Sequence, residues 1–178
     1  PFAPSFAHAV HVLDSAPADD ERVSIRIRDN VLQDYGQMGI DVSDAASVRV
    51  EDNVVKGVGP TAEVAQLGVI LRRAARGRVR GNSIGGHWYT PYRAAAGLML
   101  ENSSRVRVEG NALDENYEGI AVSGDSHRNR IADNDLTETL FALSIRGLPG
   151  APAERNQATR NRMQGPGGAG VTALEIGD

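Results

Sequence analysis

Six asparagines, Asn30, Asn53, Asn82, Asn111, Asn134 and Asn161, recur at spacings of 23, 29, 29, 23 and 27 residues. A repeat of this period restricts the fold more tightly than composition does. Before each Asn lies a short apolar alternation, as in Ile25-Arg26-Ile27, Val48-Arg49-Val50 and Val106-Arg107-Val108, with Val79 and Ile131 in the other coils. After each comes a turn and a second alternation, such as Met38-Gly39-Ile40-Asp41-Val42, Leu67-Gly68-Val69-Ile70-Leu71 or Gly119-Ile120-Ala121-Val122. Ala9-Val10-His11-Val12 reads as one more half-coil at the start. The stretch from the Gly of the second alternation to the next Asn holds at 14 or 15 residues in the first four coils, whereas the stretch from Asn to Gly varies from 8 to 15. One arc keeps register and the other takes insertions, which is how a solenoid behaves.

Period-two alternation predicts strands with one buried face. Stacking coils about 4.8 Å apart pairs each strand with the coil above and below. An amide that both donates and accepts can ladder from coil to coil, and Asn tolerates the left-handed backbone of a sharp corner. The expected fold is all-β, a right-handed parallel β-helix of about six coils with an Asn ladder. A leucine-rich repeat shares the period and the Asn, but it needs a Leu-dense consensus and a helical return, and here the return is β-like. The form V-x-V-x-x-N-x-[IL], a turn, then G-[IVL]-x-[VL] resembles the right-handed parallel β-helix superfamily of pectate lyases, polygalacturonases, alginate epimerases and phage tailspikes. The resemblance spans about residues 9 to 174. It implies that the strand before the Asn belongs to the second sheet and the G-I-x-V strand to the first. It also implies an active groove on the outside of the first sheet, and it leaves calcium open as an ion. Fold of this kind does not fix chemistry.

The 178 residues suit a single β-helix domain over 1–178, read as an excised or processed piece of a longer chain, because there is no initiator Met and no signal-peptide pattern over Pro1–Asp14. No Cys is present, which excludes disulfides and thiolate chemistry. The formal net charge of −4 does not advertise a nucleic-acid binder, and no apolar run approaches a membrane span. No amphipathic capping helix is evident in the sequence, so flanking domains or a homo-oligomeric partner are expected over the open coil ends. The expected location is secreted, periplasmic or cell surface.

Stacking turns the sequence into columns. Outside the first sheet the expected column is His11, Asp41, Ile70, Met99, Ala121, Ser144 and Thr172, flanked by Ser43, Arg72, Glu101, Ser123, Arg146 and Glu175. Arg72 is expected beside Glu101, and Arg146 beside Glu175. Outside the second sheet run Arg26, Arg49, Arg78, Arg107 and Arg130, an arginine stripe on an acidic protein. Guanidinium groups in a row suit an anionic ligand, and Arg stems also serve simply to cover a sheet. The long turns Lys56–Gln66 and Gly85–Ala96 fall in adjacent coils, and the second carries His87, Trp88, Tyr89 and Tyr92. With Tyr35 and Tyr117 at nearly equivalent positions, these aromatics form an expected sugar-binding wall.

These readings name an acidic polysaccharide as the expected ligand. If the chain is an enzyme (lyase, hydrolase or epimerase), Asp41, His87, Asp114 and Glu115 are the acid–base candidates and Arg72 a charge stabiliser. Tyr35, Trp88, Tyr89, Tyr92, Tyr117, Arg49, Arg78 and Arg107 are the substrate-binding candidates. The other three histidines are scattered in sequence and are not expected to form a metal site with His87. No bound transition metal and no cofactor are expected. His127 and Gly165-Pro166-Gly167-Gly168 read as turns, the latter lacking the Lys and Ser/Thr of a phosphate loop. The alternative reading is a non-catalytic structural or adhesin-type segment of a larger assembly; nucleic-acid binding stands third.

Overall fold

A computed structural model describes residues 8–13, 24–91 and 94–166, together with the backbone of 172–177. The described elements are strands, and they stack into three parallel sheets. The first sheet contains β1 (His8–Leu13), β4 (Met38–Ser43), β7 (Leu67–Arg72), β10 (Ala96–Glu101), β13 (Glu118–Ser123), β16 (Phe141–Arg146) and β19 (Thr172–Gly177), hydrogen-bonded in that order. The second contains β2 (Ser24–Arg28), β5 (Ser47–Glu51), β8 (Gly77–Arg80), β11 (Val106–Glu109), β14 (Arg130–Ala132) and β17 (Gln157–Thr159). The third contains β3 (Val31–Leu32), β6 (Val54–Thr61), β9 (Ser83–Tyr89), β12 (Ala112–Asp114), β15 (Asp135–Thr137) and β18 (Arg162–Met163). Each strand pairs with its counterpart one coil away, the arrangement of a right-handed parallel β-helix.

The third sheet replaces what the sequence reads as a turn. Its strands on the described coils are mostly two or three residues long and place one side chain inside: Leu32, Val55, Ile84, Leu113, Leu136 or Met163. A single inward residue shows no periodicity. The two long turns are not free loops: β6 and β9 pair beyond a register shift, with Gly59 opposite His87, Pro60 opposite Trp88 and Thr61 opposite Tyr89.

The core is aliphatic, as the scarcity of aromatics requires. Ile40, Val42, Leu71, Val79, Leu98, Leu100, Val108, Ile120, Ile131 and Leu143 are fully inaccessible to solvent. Gly39 and Gly68 lie where the first-sheet strand enters this core. A Cβ on Gly39 would stand 2.6 Å from the Gly68 carbonyl oxygen, and one on Gly68 would stand 2.5 Å from that of Gly97. The G-[IVL] pattern therefore reflects close approach of successive coils.

The six asparagines stack at one corner. From Asn30 through Asn161, each side-chain amide donates to the Oδ1 of the Asn one coil on at 2.9 Å, and each backbone N–H donates to the same oxygen at 3.0–3.1 Å. The left-handed residue at this corner is not the Asn but the one before it. Asp29, Asp52, Gly81, Gly110, Asp133 and Arg160 all have φ between 54° and 67°. The backbone turns one residue early, and that aims the Asn side chain inward.

Candidate functional site

The outer face of the first sheet, at its first two coils, gathers three metal-ligating side chains. His8 and His11 come from β1 and Asp41 from β4, and one donor atom from each lies within 4.8 Å of the other two. His11 and Asp41 are register partners, and His8 pairs with Met38. The imidazole rings stack with centroids 4.5 Å apart. His8 Nδ1 stands 3.2 Å and His11 Nε2 3.8 Å from Asp41 Oδ2. His8 Nδ1 is buried and has no hydrogen-bond partner, since its ion-pair approach to Asp41 lacks hydrogen-bond geometry. Asp41 is 3% exposed. Its second oxygen, Oδ1, accepts a hydrogen bond from the Arg72 guanidinium, which also reaches Glu101 Oε2 at 3.2 Å and Met38 Sδ at 3.5 Å. Arg72 thus fixes the carboxylate and leaves Oδ2 toward the imidazoles.

The expectation of scattered histidines is corrected for two of the four. Strict alternation puts residues three apart on opposite faces of a strand, yet the His8 and His11 rings stack and both approach Asp41. His87 and His127 stand elsewhere. His127 lies by Asp125, with Nδ1 at 3.4 Å from its carboxylate.

His87 lies inside the coil and is wholly buried. It belongs to an internal polar chain: the Tyr35 hydroxyl donates to His87 Nε2, and His87 Nδ1 donates to Asn116 Oδ1 at 2.9 Å. Asn116 donates on to the carbonyls of Ile84 and Asp114. A neutral imidazole protonated at Nδ1 satisfies both of its neighbours. Burial pushes the His87 pKa down to about 4, against the smaller opposing effect of Asn116, and burial raises that of Tyr35. Tyr35 therefore shares a column with His87 and Asn116, not with Tyr117. Tyr35 and Asn116 each directly follow a left-handed corner residue, Asp34 and Glu115, and Tyr117 comes one residue later, so the expected equivalence of Tyr35 and Tyr117 fails.

The remaining aromatics form a smaller group than expected. Trp88 packs edge-on to Tyr117 with centroids 5.7 Å apart, and Tyr117 tilts against Phe141 at 5.8 Å. Tyr89 extends the strand opposite Thr61. Tyr92, Gly167 and Gly168 lie outside the described residues. Trp88, Pro60, Glu115, Glu138 and Pro166 line one shallow depression. Asp114 is exposed and accepts from the Thr137 hydroxyl at 2.6 Å. The acid–base candidates are thus distributed over three places: Asp41 outside the first sheet, His87 inside the coil, and Asp114 with Glu115 at the end of a third-sheet strand.

The arginine columns are where the sequence puts them. Arg26, Arg49, Arg78, Arg107, Arg130 and Gln157 pair coil by coil. Arg72 meets Glu101 as expected. Arg146 pairs with Glu118 at 2.9 Å; the side chain of Glu175, its expected partner, lies outside the described residues. In the last coil Glu175 stands opposite Ser144 and Thr172 opposite Phe141, because the strand sits three residues away from the register its Gly170-Val171 pattern suggests.

The fold and the site define the class: a parallel β-helix solenoid whose first described coils bring together two histidines and a carboxylate able to hold a metal ion. The family model described as "Periplasmic copper-binding protein (NosD)" matches residues 7–147, and the chain belongs to that family. No curated protein and no solved structure matches the chain at a significant level.

Proposed function

We propose that this protein binds copper through His8, His11 and Asp41 in a periplasmic setting. The observation that carries the reading is the buried, unpartnered His8 Nδ1 facing Asp41 Oδ2 at 3.2 Å, with His11 alongside. The donor set fits. Imidazole nitrogen and carboxylate oxygen suit Cu(II), and copper stands highest among the divalent first-row metals for such ligands. Donors about 2 Å from a shared ion lie at most about 4 Å apart, so three atoms already within 4.8 Å need only a small contraction. Arg72 holds the carboxylate from behind, the outer-shell support that ligating carboxylates usually have. Three protein donors leave coordination positions open, which suits an ion that is received and handed on rather than locked in. The family description supports both the metal and the compartment.

Calorimetric titration with Cu(II) and electron paramagnetic resonance test this together. The expected result is one copper per chain with nitrogen couplings from two imidazoles, zinc binding more weakly, and affinity falling in acid as protons compete for the ring nitrogens. His11→Ala and Asp41→Asn should each weaken copper by about a hundredfold. Equal copper affinity in the wild type and both variants would refute the assignment. The expected acidic polysaccharide draws its support from another face, the arginine stripe of the second sheet.

A further inference from the structure

The outer face of the second sheet presents guanidinium groups at one per coil. Arg26, Arg49, Arg78, Arg107 and Arg130 are consecutive register partners, so their α-carbons rise in a straight row at about 4.8 Å per step. Four of the five are exposed, and Arg78 is half-buried. Arg76 and Arg105 flank the row and, with Ser47, Arg49, Arg78 and Arg107, line a shallow trough along it.

Arginines elsewhere in the fold are used differently. Arg72, Arg73, Arg146, Arg160 and Arg162 each hold a carboxylate within 3.0 Å or at a short ion-pair contact. In the row only Arg78 does, with Glu109 Oε2 at 3.3 Å, and its Nε is buried without a partner. Among the described residues, Arg26, Arg49, Arg107 and Arg130 form no ion pair. Like charges stacked directly opposite destabilise a sheet, and the core beneath makes no demand for cations on the outer face: the same column carries neutral Gln157 in the next coil. A row of five aligned, regularly spaced cations, four of them without an ion pair among the described residues, matches a linear polyanion.

We propose that this face binds a linear uronate polysaccharide lying along the helix axis, its carboxylates taken by the unpaired guanidinium groups of the row. A uronate polymer carries one carboxylate per sugar ring, a step comparable to one coil, and the planar guanidinium fork matches a carboxylate in two parallel hydrogen bonds. Duplex DNA fits less well, since its phosphates advance about 3.4 Å per strand step while winding around the axis, so they leave a straight row after a few coils. The inference does not depend on the copper site, which lies on a different sheet.

The test uses the whole chain with polygalacturonate, neutral dextran and duplex DNA, each titrated at several salt concentrations. Polygalacturonate should bind, dextran should not, and DNA should bind more weakly at every salt concentration. Arg49→Gln with Arg107→Gln should weaken polygalacturonate roughly tenfold at fixed salt, while Arg160→Gln with Arg162→Gln, on other faces, should change it by less than about twofold. Arg26→Gln with Arg130→Gln provides a second ladder pair should the first fail to fold. No binding of polygalacturonate, DNA binding as tight as polygalacturonate, or ladder variants that bind like the wild type would each overturn the proposal.

Discussion

Asn82→Leu lowers the unfolding free energy by about 3 kcal/mol. The side chain is 1% exposed and sits mid-ladder. Its Oδ1 accepts from both the backbone N–H and the amide of Asn53, at 3.0 and 2.9 Å. Its amide donates to Asn111 Oδ1 and to the Val50 carbonyl, at 2.9 and 3.0 Å. Leucine keeps the volume and removes every one of these bonds. The Asn53 N–H is then buried with no acceptor, and an orphaned buried donor costs about 1–3 kcal/mol by itself. The chain of amides is also cut in two, so its mutual polarisation is lost across the break. Asn30→Leu is the matched control. Asn30 ends the ladder and is only half-buried, and its replacement should cost about 1 kcal/mol. Urea unfolding followed by circular dichroism gives both values from the shift in midpoint at constant slope. A loss at Asn82 no larger than that at Asn30 would contradict the ladder's role.

The second large effect is a loss of stability in acid that originates at His87. Its folded pKa of about 4 lies below the roughly 6.5 of an exposed imidazole. Between those values the unfolded chain takes up a proton that the folded chain refuses, so stability falls as pH drops from about 6.5 to about 4. Integrated over that window the loss is about 3 kcal/mol. Above pH 6.5 both states hold a neutral ring and this contribution is level. His87→Gln retains a polar side chain and cannot titrate. The difference in stability between wild type and variant, measured from pH 7.5 to pH 4, should narrow steadily through this window. A difference independent of pH would show that the ring is not buried neutral, and the Tyr35–His87–Asn116 chain would then be misassigned.

What the residues reveal in advance, and what they hide, follows from how each coil is built. The Asn ladder and the arginine column were legible because both lie on the arc of constant length, where counting residues is the same as climbing coils. The third sheet was not, because a strand with one inward residue such as Leu113 or Leu136 has no alternation to read. Tyr35 and Tyr117 differ by one residue counted from the left-handed corner, and that corner has no pattern to read in the sequence. The register of the last coil is not legible either, because its strand sits three positions from where the Gly170-Val171 pattern points. The His8–His11–Asp41 cluster was hidden twice over. His11 and Asp41 are legible as neighbours, but His8 lies three residues from His11, where alternation assigns the opposite face. Met38 entered only through its register with His8.

Distances between coils test the stacked register most directly, and the chain's lack of cysteine makes them accessible. With nitroxide labels at Arg26→Cys and Arg130→Cys, four coil steps apart in one column, pulsed electron paramagnetic resonance should give a single narrow distribution near 19 Å between backbones, widened by the label arms. A broad distribution, or a separation well beyond about 30 Å, would mean that the coils do not lie one above another in this register.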